Sequence, residues 1–446
     1  MNIIIKVCIA VSILMLTAID CEAKQWTFRD CIEYALQNNI SLKKAKIKQL
    51  SSVEDIKQSQ AALFPSIDFS TSQSMTYLPW PETGRATVAN GYVQSSVDKV
   101  YYNGTYGINA NWTVWNGGRN RKTIKANKMA AEMNMLDSAQ TANSILEQLA
   151  QLYVQILYSD EAVKVNKASL ETSSANENRG NEMLKVGKIS KADLAQLKAQ
   201  RVQDEYNVVE AESNLRNYKR QLKQLIQIAN DDSFDIAIPE TTEEMALRKI
   251  PQLNSVYAMA LEIRPEIQKA KVGIEQSNVN LGIAKAQRMP TVGLNAGFAT
   301  NSTSMSSKKW GAQIKNNFDF GAGVTVTVPI FDNRNSKTAI NKAMLQKQDC
   351  MLDLQNNQIE LYSKIEEYWL QAVTNQNKYV SAKASTESAL ASYELLNEQF
   401  KQGLKNIIEL MTGKSKLLTA QQNELQSKYL AILNISILEF YRTGKL

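Results

Sequence analysis

The 446-residue chain has no histidine. That removes the commonest general base and the commonest metal ligand. Its cysteines are Cys8, Cys21, Cys31 and Cys350. The first two fall in an apolar leader, the others stand alone, and no C-x-x-C exists, so nothing points to a zinc site, a redox motif or a disulfide framework. No paired carboxylates and no glycine-rich phosphate loop can be placed, so no enzymatic reaction suggests itself and no cofactor or metal is expected. The side chains that could act are instead small and polar, set at every second position. In Tyr106–Val114, Asn109, Asn111 and Thr113 alternate with Tyr106, Ile108, Ala110, Trp112 and Val114. In Phe318–Val328, Asp319, Thr325 and Thr327 share one side with Gly321 and Gly323, opposite Phe318, Phe320, Ala322, Val324, Val326 and Val328. Period-two alternation predicts strands with one apolar and one polar wall. Polar walls of small residues suit a wet lumen.

Each of these strands feeds a very long helix. The first runs into Asn116-Gly117-Gly118-Arg119, and no proline appears again until Pro239. The second ends in Phe331-Asp332-Asn333-Arg334, after which no proline follows. The first helical region spans about Arg119–Gly187, with Ile145, Leu149, Leu152, Ile156 and Val163 at heptad-like spacing and Ser159 in the remaining step. At ~1.5 Å per residue it is roughly 100 Å long, several times the ~30 Å hydrocarbon core of a bilayer. It breaks at Gly187 and returns as Lys191 to about Ile228. The second counterpart runs from about Asn335 to Gln402, breaks at Gly403 and returns as Ile407 to about Tyr441.

The rest of the chain shows the same duplication. Thr27 and Asp30 form a capping-box variant at the start of a helix that Asn38-Asn39 breaks. A second helix, about Ser41–Leu63, stops before Pro65, and Ser66–Tyr77 reads as a strand. Pro79–Val100 reads as a polar loop. In the second half, Pro251–Leu261 is a short helix, Arg264-Pro265-Glu266 restarts it, and the next helix ends before Pro290. Val292–Phe298 reads as a strand and about Thr300–Asn317 as a polar loop. Leu63-Phe64-Pro65 echoes Arg288-Met289-Pro290, and Gly187…Asp193-Leu194 echoes Gly403…Glu409-Leu410. The expected organisation is a leader at 1–23, a first repeat at 24–230, an irregular linker at 231–250 and a second repeat at 251–446.

The leader resembles a signal peptide: Lys6, an apolar run Val7–Ile19, and a cleavage site at Cys21-Glu22-Ala23. Lipidation of Cys21 competes with that reading, and Asp20 counts against it. No later stretch is apolar and long enough for a transmembrane helix, so an exported chain of this kind could cross a membrane only with strands. Four strands cannot close a barrel, which needs about eight or more. Several chains would each donate four, or the strands form an ordinary half-buried sheet. Aromatic residues gather at the strand ends: Tyr77, Trp80, Tyr101, Tyr102 and Tyr106 at one, Trp112, Trp115 and Phe331 at the other, like the girdles of an outer-membrane barrel. Leu352 and Leu354, then Ile359 and Leu361, put apolar groups on two flanks of one helix, as in a ring of helices or an antiparallel coiled coil. The net charge of +7 is spread along the helices, which speaks for solvated faces and against a nucleic-acid partner.

These residues resemble the TolC-like outer-membrane efflux protein family. The similarity rests on Trp26-Thr27-Phe28…Ala35-Leu36-Gln37-Asn38-Asn39, both proline-to-strand entries, both strand-to-helix junctions and both glycine turns. The resemblance implies a mainly α fold with a transmembrane β part. In that fold a homotrimer builds a 12-stranded β-barrel in the outer membrane of a Gram-negative bacterium, continuous with a 12-helix periplasmic α-barrel. It implies an exit duct for a tripartite efflux pump or type I secretion system, working with a periplasmic adaptor (membrane fusion) protein and an inner-membrane transporter of RND or ABC type. Segments like 230–250 and the C-terminal residues would form an equatorial belt. The resemblance puts Gly187 and Gly403 at the periplasmic tip, where the adaptor docks. Glu409 falls where the family often has an inward acidic residue, and Lys405 where a basic residue ties hairpins together. Thr412 departs from members with a second acid there. Lys188, Asp193 and Gln196 occupy the corresponding places in the first repeat. The competing class is an exported coiled-coil scaffold or adhesin without a pore.

Overall fold

Helix ends in this chain are set by side chains that complete the backbone's own hydrogen bonds. In the computed structural model, which describes residues 25–80, 87–89, 92–94, 99–228, 234–239 and 242–446, strand β1 (Gln25–Trp26) precedes helix α1 (Phe28–Asn38). The Thr27 hydroxyl accepts from the Asp30 N–H at 3.2 Å, and Asp30 Oδ2 accepts from the Thr27 N–H at 3.0 Å, a reciprocal cap. Asn39 ends α1, and its Oδ1 starts α2 (Ile40–Ala61) by accepting from the Ser41 N–H at 2.9 Å. The expected leader at 1–23, with Cys8 and Cys21, lies outside the described residues.

Strand β2 (Ser66–Tyr77), a short pair β3 (Thr87–Ala89) and β4 (Tyr92–Gln94), and β5 (Val100–Asn116) lead into α3 (Arg119–Lys185) and α4 (Lys191–Ile226). The linker carries β6 (Asp235–Ile236) and α5 (Glu243–Ala246). Then come α6 (Leu253–Ile263), α7 (Pro265–Ala286), β7 (Thr291–Thr303), α8 (Trp310–Asn316), β8 (Asp319–Thr327), α9 (Asn335–Lys401) and α10 (Ile407–Thr443). The duplication is visible in length: α3 and α9 each hold 67 residues, and α4 and α10 hold 36 and 37.

Three stretches differ from the sequence reading. The expected loop 79–100 contains the β3–β4 pair. The expected loop 300–317 begins with strand to Thr303 and holds α8. β-branched Thr300 and Thr303 sustain pairing where apolar alternation has faded. The linker is not irregular throughout, because β6 pairs in parallel with β1 through Gln25↔Asp235 and Trp26↔Ile236. Trp26, just ahead of the Thr27 cap, therefore joins a strand pair and packs on Tyr34 at 5.2 Å and Phe234 at 5.6 Å.

The two strand-to-helix junctions use one geometry with different residues. Gly117 and Gly118 have φ of +66° and +75° just before α3; Asn333 and Arg334 have φ of +51° and +68° just before α9. Three residues before each helix, a side chain reaches forward. Asn116 Oδ1 accepts from the Asn120 N–H at 3.2 Å, and Asp332 Oδ2 accepts from the Ser336 N–H at 2.7 Å. Glycine adopts positive φ freely, whereas a long side chain is strained there. Gly117 is doubly constrained, since a Cβ would meet Met289 Cβ at 2.6 Å.

The described chain forms two compact units, and each draws on both repeats. One comprises residues up to Lys46, Asp137–Ile267 and Asn357–Leu446; the other comprises Ile47–Leu136 and Gln268–Asn356. In the first unit, Ile145, Leu149 and Ile156 of α3 are buried against Cys31, Ala35, Leu222, Ile226 and Tyr429, so the heptad-like stripe faces the core. Ser159, in the polar step of that stripe, is also buried and donates to the Gln155 carbonyl at 2.8 Å. Further along, Lys414 of α10 is buried with Asp204 of α4 in an ion pair. Lys414 Nζ also donates to the Ser169 carbonyl of α3 at 2.8 Å, and Gln200 donates to Asp204 at 2.9 Å. Burial holds the Lys414 ammonium below the ordinary lysine range although Asp204 opposes that shift. In the second unit, β2, β5, β7 and β8 form one antiparallel sheet in that order.

Gly117→Ala is expected to lower stability by about 1–2 kcal/mol, and Arg334→Gly to leave it unchanged or raise it by up to about 1 kcal/mol. The midpoint of guanidinium unfolding, followed by helical circular dichroism, checks both. By the same measurement Lys414→Met should cost about 3–5 kcal/mol, because Asp204 is left as a buried uncompensated charge. Adding Asp204→Leu should recover most of that loss.

Candidate channel wall and tip

The sheet sorts its side chains by face, because directly paired residues of an antiparallel sheet share a side. One face carries the rows Phe69–Ile108–Phe298–Phe320, Ile67–Ala110–Ala296–Ala322, Trp112–Leu294–Val324 and Trp115–Val292–Val326. The opposite face carries Ser66–Asn111–Asn295–Gly323, Asp68–Asn109–Gly297–Gly321, Ser70–Gly107–Ala299–Asp319, Thr113–Gly293–Thr325 and Asn116–Thr291–Thr327. Asn109, Asn111, Thr113, Asp319, Thr325 and Thr327 thus share one polar face. Asp68 and Asn295 belong to it as well. Asn109 Nδ2 donates to Ser70 Oγ at 3.3 Å and Asp68 Oδ2 at 3.4 Å, tying two strands on that wall.

Strict alternation through β5 puts Val114 with Trp112 and turns Trp115 to the polar side. The register instead shifts between Thr113 and Trp115. This bulge adds one residue and re-phases the strand, so Trp115 joins the apolar face. The apolar rows of that face are largely uncovered among the described residues: Ile67 is 71 % exposed, Phe69 67 %, Phe320 61 % and Val324 66 %. β2 and β8 are the edges of the sheet.

The two glycine turns lie in the other unit and share one design. Gly187 and Gly403 have φ of +75° and +79°. The Gly187 N–H donates to the Leu184 carbonyl at 3.0 Å and the Lys188 N–H to Met183 at 2.9 Å; Gly403 and Leu404 donate to Phe400 and Gln399 at 3.0 and 2.9 Å. These are the paired bonds of a Schellman stop. Each next helix begins three residues after its glycine with an N-cap, Ser190 or Asn406. One apolar cluster takes Met183 and Leu197 from the first hairpin and Tyr393, Phe400, Ile407, Leu410 and Leu417 from the second.

The acids six residues after the glycines behave differently. Asp193 Oδ2 accepts from the Ser190 N–H at 2.9 Å and the Ser190 hydroxyl at 2.8 Å, while the Asp193 N–H donates to Ser190 Oγ at 3.1 Å. These bonds, the backbone one foremost, hold the Asp193 carboxyl below the usual carboxylate range. At the second turn Asn406 Oδ1 accepts from the Glu409 N–H at 2.9 Å, and the Glu409 carboxylate pairs instead with Lys405 at 2.5 Å. Thr412 Oγ1 donates to the carbonyl of Ile408 in its own helix at 2.7 Å. Lys188 and Gln196 are exposed. Among the described residues, no group of cysteines and carboxylates could hold a metal ion, and no helix is long and apolar enough to cross a membrane.

Known proteins share this arrangement. The family model described as "Outer membrane efflux protein" matches residues 31–226 and 256–434, spanning both repeats. The chain is 20 % identical over 301 residues to the outer membrane protein TolC of Vibrio cholerae, covering 67 % of each chain. It is 21 % identical over 402 residues to the toluene efflux pump outer membrane protein TtgC of Pseudomonas putida, covering 88 % of this chain and 77 % of that one. The solved CmeC outer membrane channel of Campylobacter jejuni matches with a TM-score of 0.79 at 21 % identity, over 94 % of this chain and 86 % of that chain. A four-stranded sheet with an uncovered apolar face, two long helical hairpins and a match through both halves leave one conclusion: the chain belongs to the outer membrane efflux protein family.

Proposed function

We propose that this outer-membrane efflux channel works as a ring of three copies, a passive duct from the periplasm to the outside. The observation that carries this reading is the sheet: an apolar face open to its surroundings, a polar face of short side chains, and two unpaired edges. Lipid tolerates no open edge, so such a sheet must be completed by others. Two copies would supply eight strands, whose interior side chains fill; three supply twelve and leave a bore. The apolar rows then face lipid, and Asn109, Asn111, Thr113, Asp319, Thr325 and Thr327 line the lumen.

The helices support the same closure. On α9, Leu345, Leu352 and Ile359 recur every seven residues and are 64 %, 62 % and 65 % exposed. Ile47 and Leu50 of α2 are 65 % and 66 % exposed. A head-to-tail contact between these two stripes on successive copies closes a ring when the rotation permits. The scaffold or adhesin reading gives no role to a sheet wall of exposed Phe, Ile and Val.

Residues 1–23 act as the export signal, and the repeats 24–230 and 251–446 flank the linker 231–250. The turns at Gly187 and Gly403 form the periplasmic tip and dock an adaptor protein, which joins the channel to an inner-membrane transporter of RND or ABC type. In a three-fold ring Glu409 recurs three times around the axis and favours cations. Asp193, Gln196 and Thr412 line the same constriction, with Lys405 and Lys188 as its ionic contacts. The short side chains of the strand wall supply no cargo-specific pocket, so cargo choice falls to the transporter.

In planar lipid bilayers the purified protein should conduct ions, and Leu352→Asp should abolish both the trimer, read by native mass spectrometry, and the conductance. A chain that stays monomeric in lipid or passes no current overturns the duct. Glu409→Ala should reduce cation over anion selectivity without loss of the trimer. Gly403→Val should cost about 1–2 kcal/mol, because its positive φ is closed to branched residues, and should weaken crosslinking to the adaptor.

A further inference from the structure

The apolar face of the sheet is interrupted before its far end, where Met75–Tyr102 and Tyr77–Val100 resume it on β2 and β5. Beyond the row Phe69–Ile108–Phe298–Phe320, the next two rows on that same face are Thr71–Tyr106–Thr300 and Gln73–Gly104–Ser302. This is the end remote from the helices, since β7 starts just after α7 and β8 ends just before α9. Here the connection between β7 and β8 folds back as α8 onto the face that was apolar. Trp310 Nε1 donates to Tyr106 Oη at 3.3 Å, and the rings meet edge to face at 6.1 Å. Thr300 Oγ1 donates to the Ile314 carbonyl at 2.7 Å. Gln313, only 4 % exposed, accepts from the Thr303 N–H at 2.8 Å and donates to the Lys308 carbonyl at 2.7 Å. A short helix is thereby fixed against the outer wall.

The charge of this segment is one-sided. From Thr291 to Phe318 the sequence holds Lys308, Lys309 and Lys315 and no acidic residue. β5 holds no charged residue at all, and Asp68 of β2 and Asp319 of β8 lie on the opposite, polar face. Lys309 and Lys315 are exposed, and Trp310 is 60 % exposed although it is tethered to Tyr106. An indole between apolar and polar rows, flanked by lysines, is the composition of a membrane–water interface.

The geometry points to α8 as a lipid-binding element: it lies at the level of the headgroups beside the barrel and holds anionic headgroups of the surrounding leaflet through Lys309 and Lys315, with Trp310 setting its depth. This inference rests on the reading that the apolar sheet face is turned to lipid. A helix folded over the lumen mouth would pack on the polar face; α8 packs on the other through Trp310 and Ile314, and its C-cap Asn317 reaches the strand rim at Asn301.

The test uses the full-length protein in phosphatidylcholine vesicles with and without phosphatidylglycerol. The Trp310 signal is taken as the difference between the wild type and Trp310→Phe. It should be quenched by brominated lipids, and by brominated phosphatidylglycerol at lower mole fraction than by brominated phosphatidylcholine. Each lysine removed in Lys309→Gln and Lys315→Gln should weaken that preference about fivefold, and high salt should erase it. An unchanged preference in the double variant overturns the lysine assignment. A Trp310 signal quenched by aqueous acrylamide and untouched by brominated lipid overturns the placement of α8. Flotation of every variant with phosphatidylcholine vesicles reports on the barrel separately: wild-type protein that fails to float counts against the barrel, not against α8 alone.

Discussion

A backbone N–H in hydrocarbon has no water to bond, and the rest of this structure depends on that constraint. Each strand of the sheet satisfies its neighbours, but the outer edges of β2 and β8 have no partner strand among the described residues. In water such edges would be a hazard for aggregation. In lipid they are untenable unless another copy pairs with them. The unpaired edges, the uncovered rows led by Phe69 and Phe320, and the exposed heptad stripe on α9 therefore have one common cause. In the proposed ring the chain is a sector of a larger wall, and what would be defects in a globular protein are its joints.

Most of the architecture was legible because long elements repeat their signals. α3 and α9 were readable from the lack of proline and from heptad spacing over many turns, and their observed ends fall within two residues of the expected ones. The capping pair Thr27–Asp30 and the glycine breaks at Gly187 and Gly403 are local chemistry, so sequence alone exposes them, whereas the Ser190–Asp193 cap emerged only in the structure. The missed features are set by non-local pairing. The bulge at Val114 depends on the register against Val292 and Gly293, and no residue type announces it. β1 and β6 are two residues each, and their pairing comes with the distant contact of Trp26 on Phe234. α8 lay hidden because the strands beyond Phe298 turn polar on both faces, so alternation, the signal that marks a strand, had already faded.

Duplication makes the divergences informative, because each half is a control for the other. The strand-to-helix junction needs two successive residues at positive φ. The first repeat meets that need with glycines, one of which also has no room for a Cβ beside Met289. The second meets it with Asn333 and Arg334, where Asn tolerates the conformation and Arg does not do so readily. The side chain that reaches four residues forward survives in both, as Asn116 and as Asp332. Geometry is thus retained while residue identity drifts, and the strain falls on whichever repeat has the less permissive residue.

The glycine turns of the proposed tip carry the same comparison into function. Both place an acid six residues after the glycine, at the third position of the next helix. In the first repeat a short carboxylate and a serine close on each other, so Asp193 is spent on its own turn and its charge is tied to two donors of Ser190. In the second, Asn406 caps the Glu409 N–H, the cap is not reciprocated, and the longer carboxylate is left to pair with Lys405 one turn back. A half-exposed ion pair of this kind is worth little to stability, so its carboxylate can change partners at small cost. A charge locked in a cap cannot. Of the two equivalent acids, Glu409 is therefore the one able to exchange Lys405 for another cation at the proposed constriction, whereas neutral donors hold the Asp193 charge in one place.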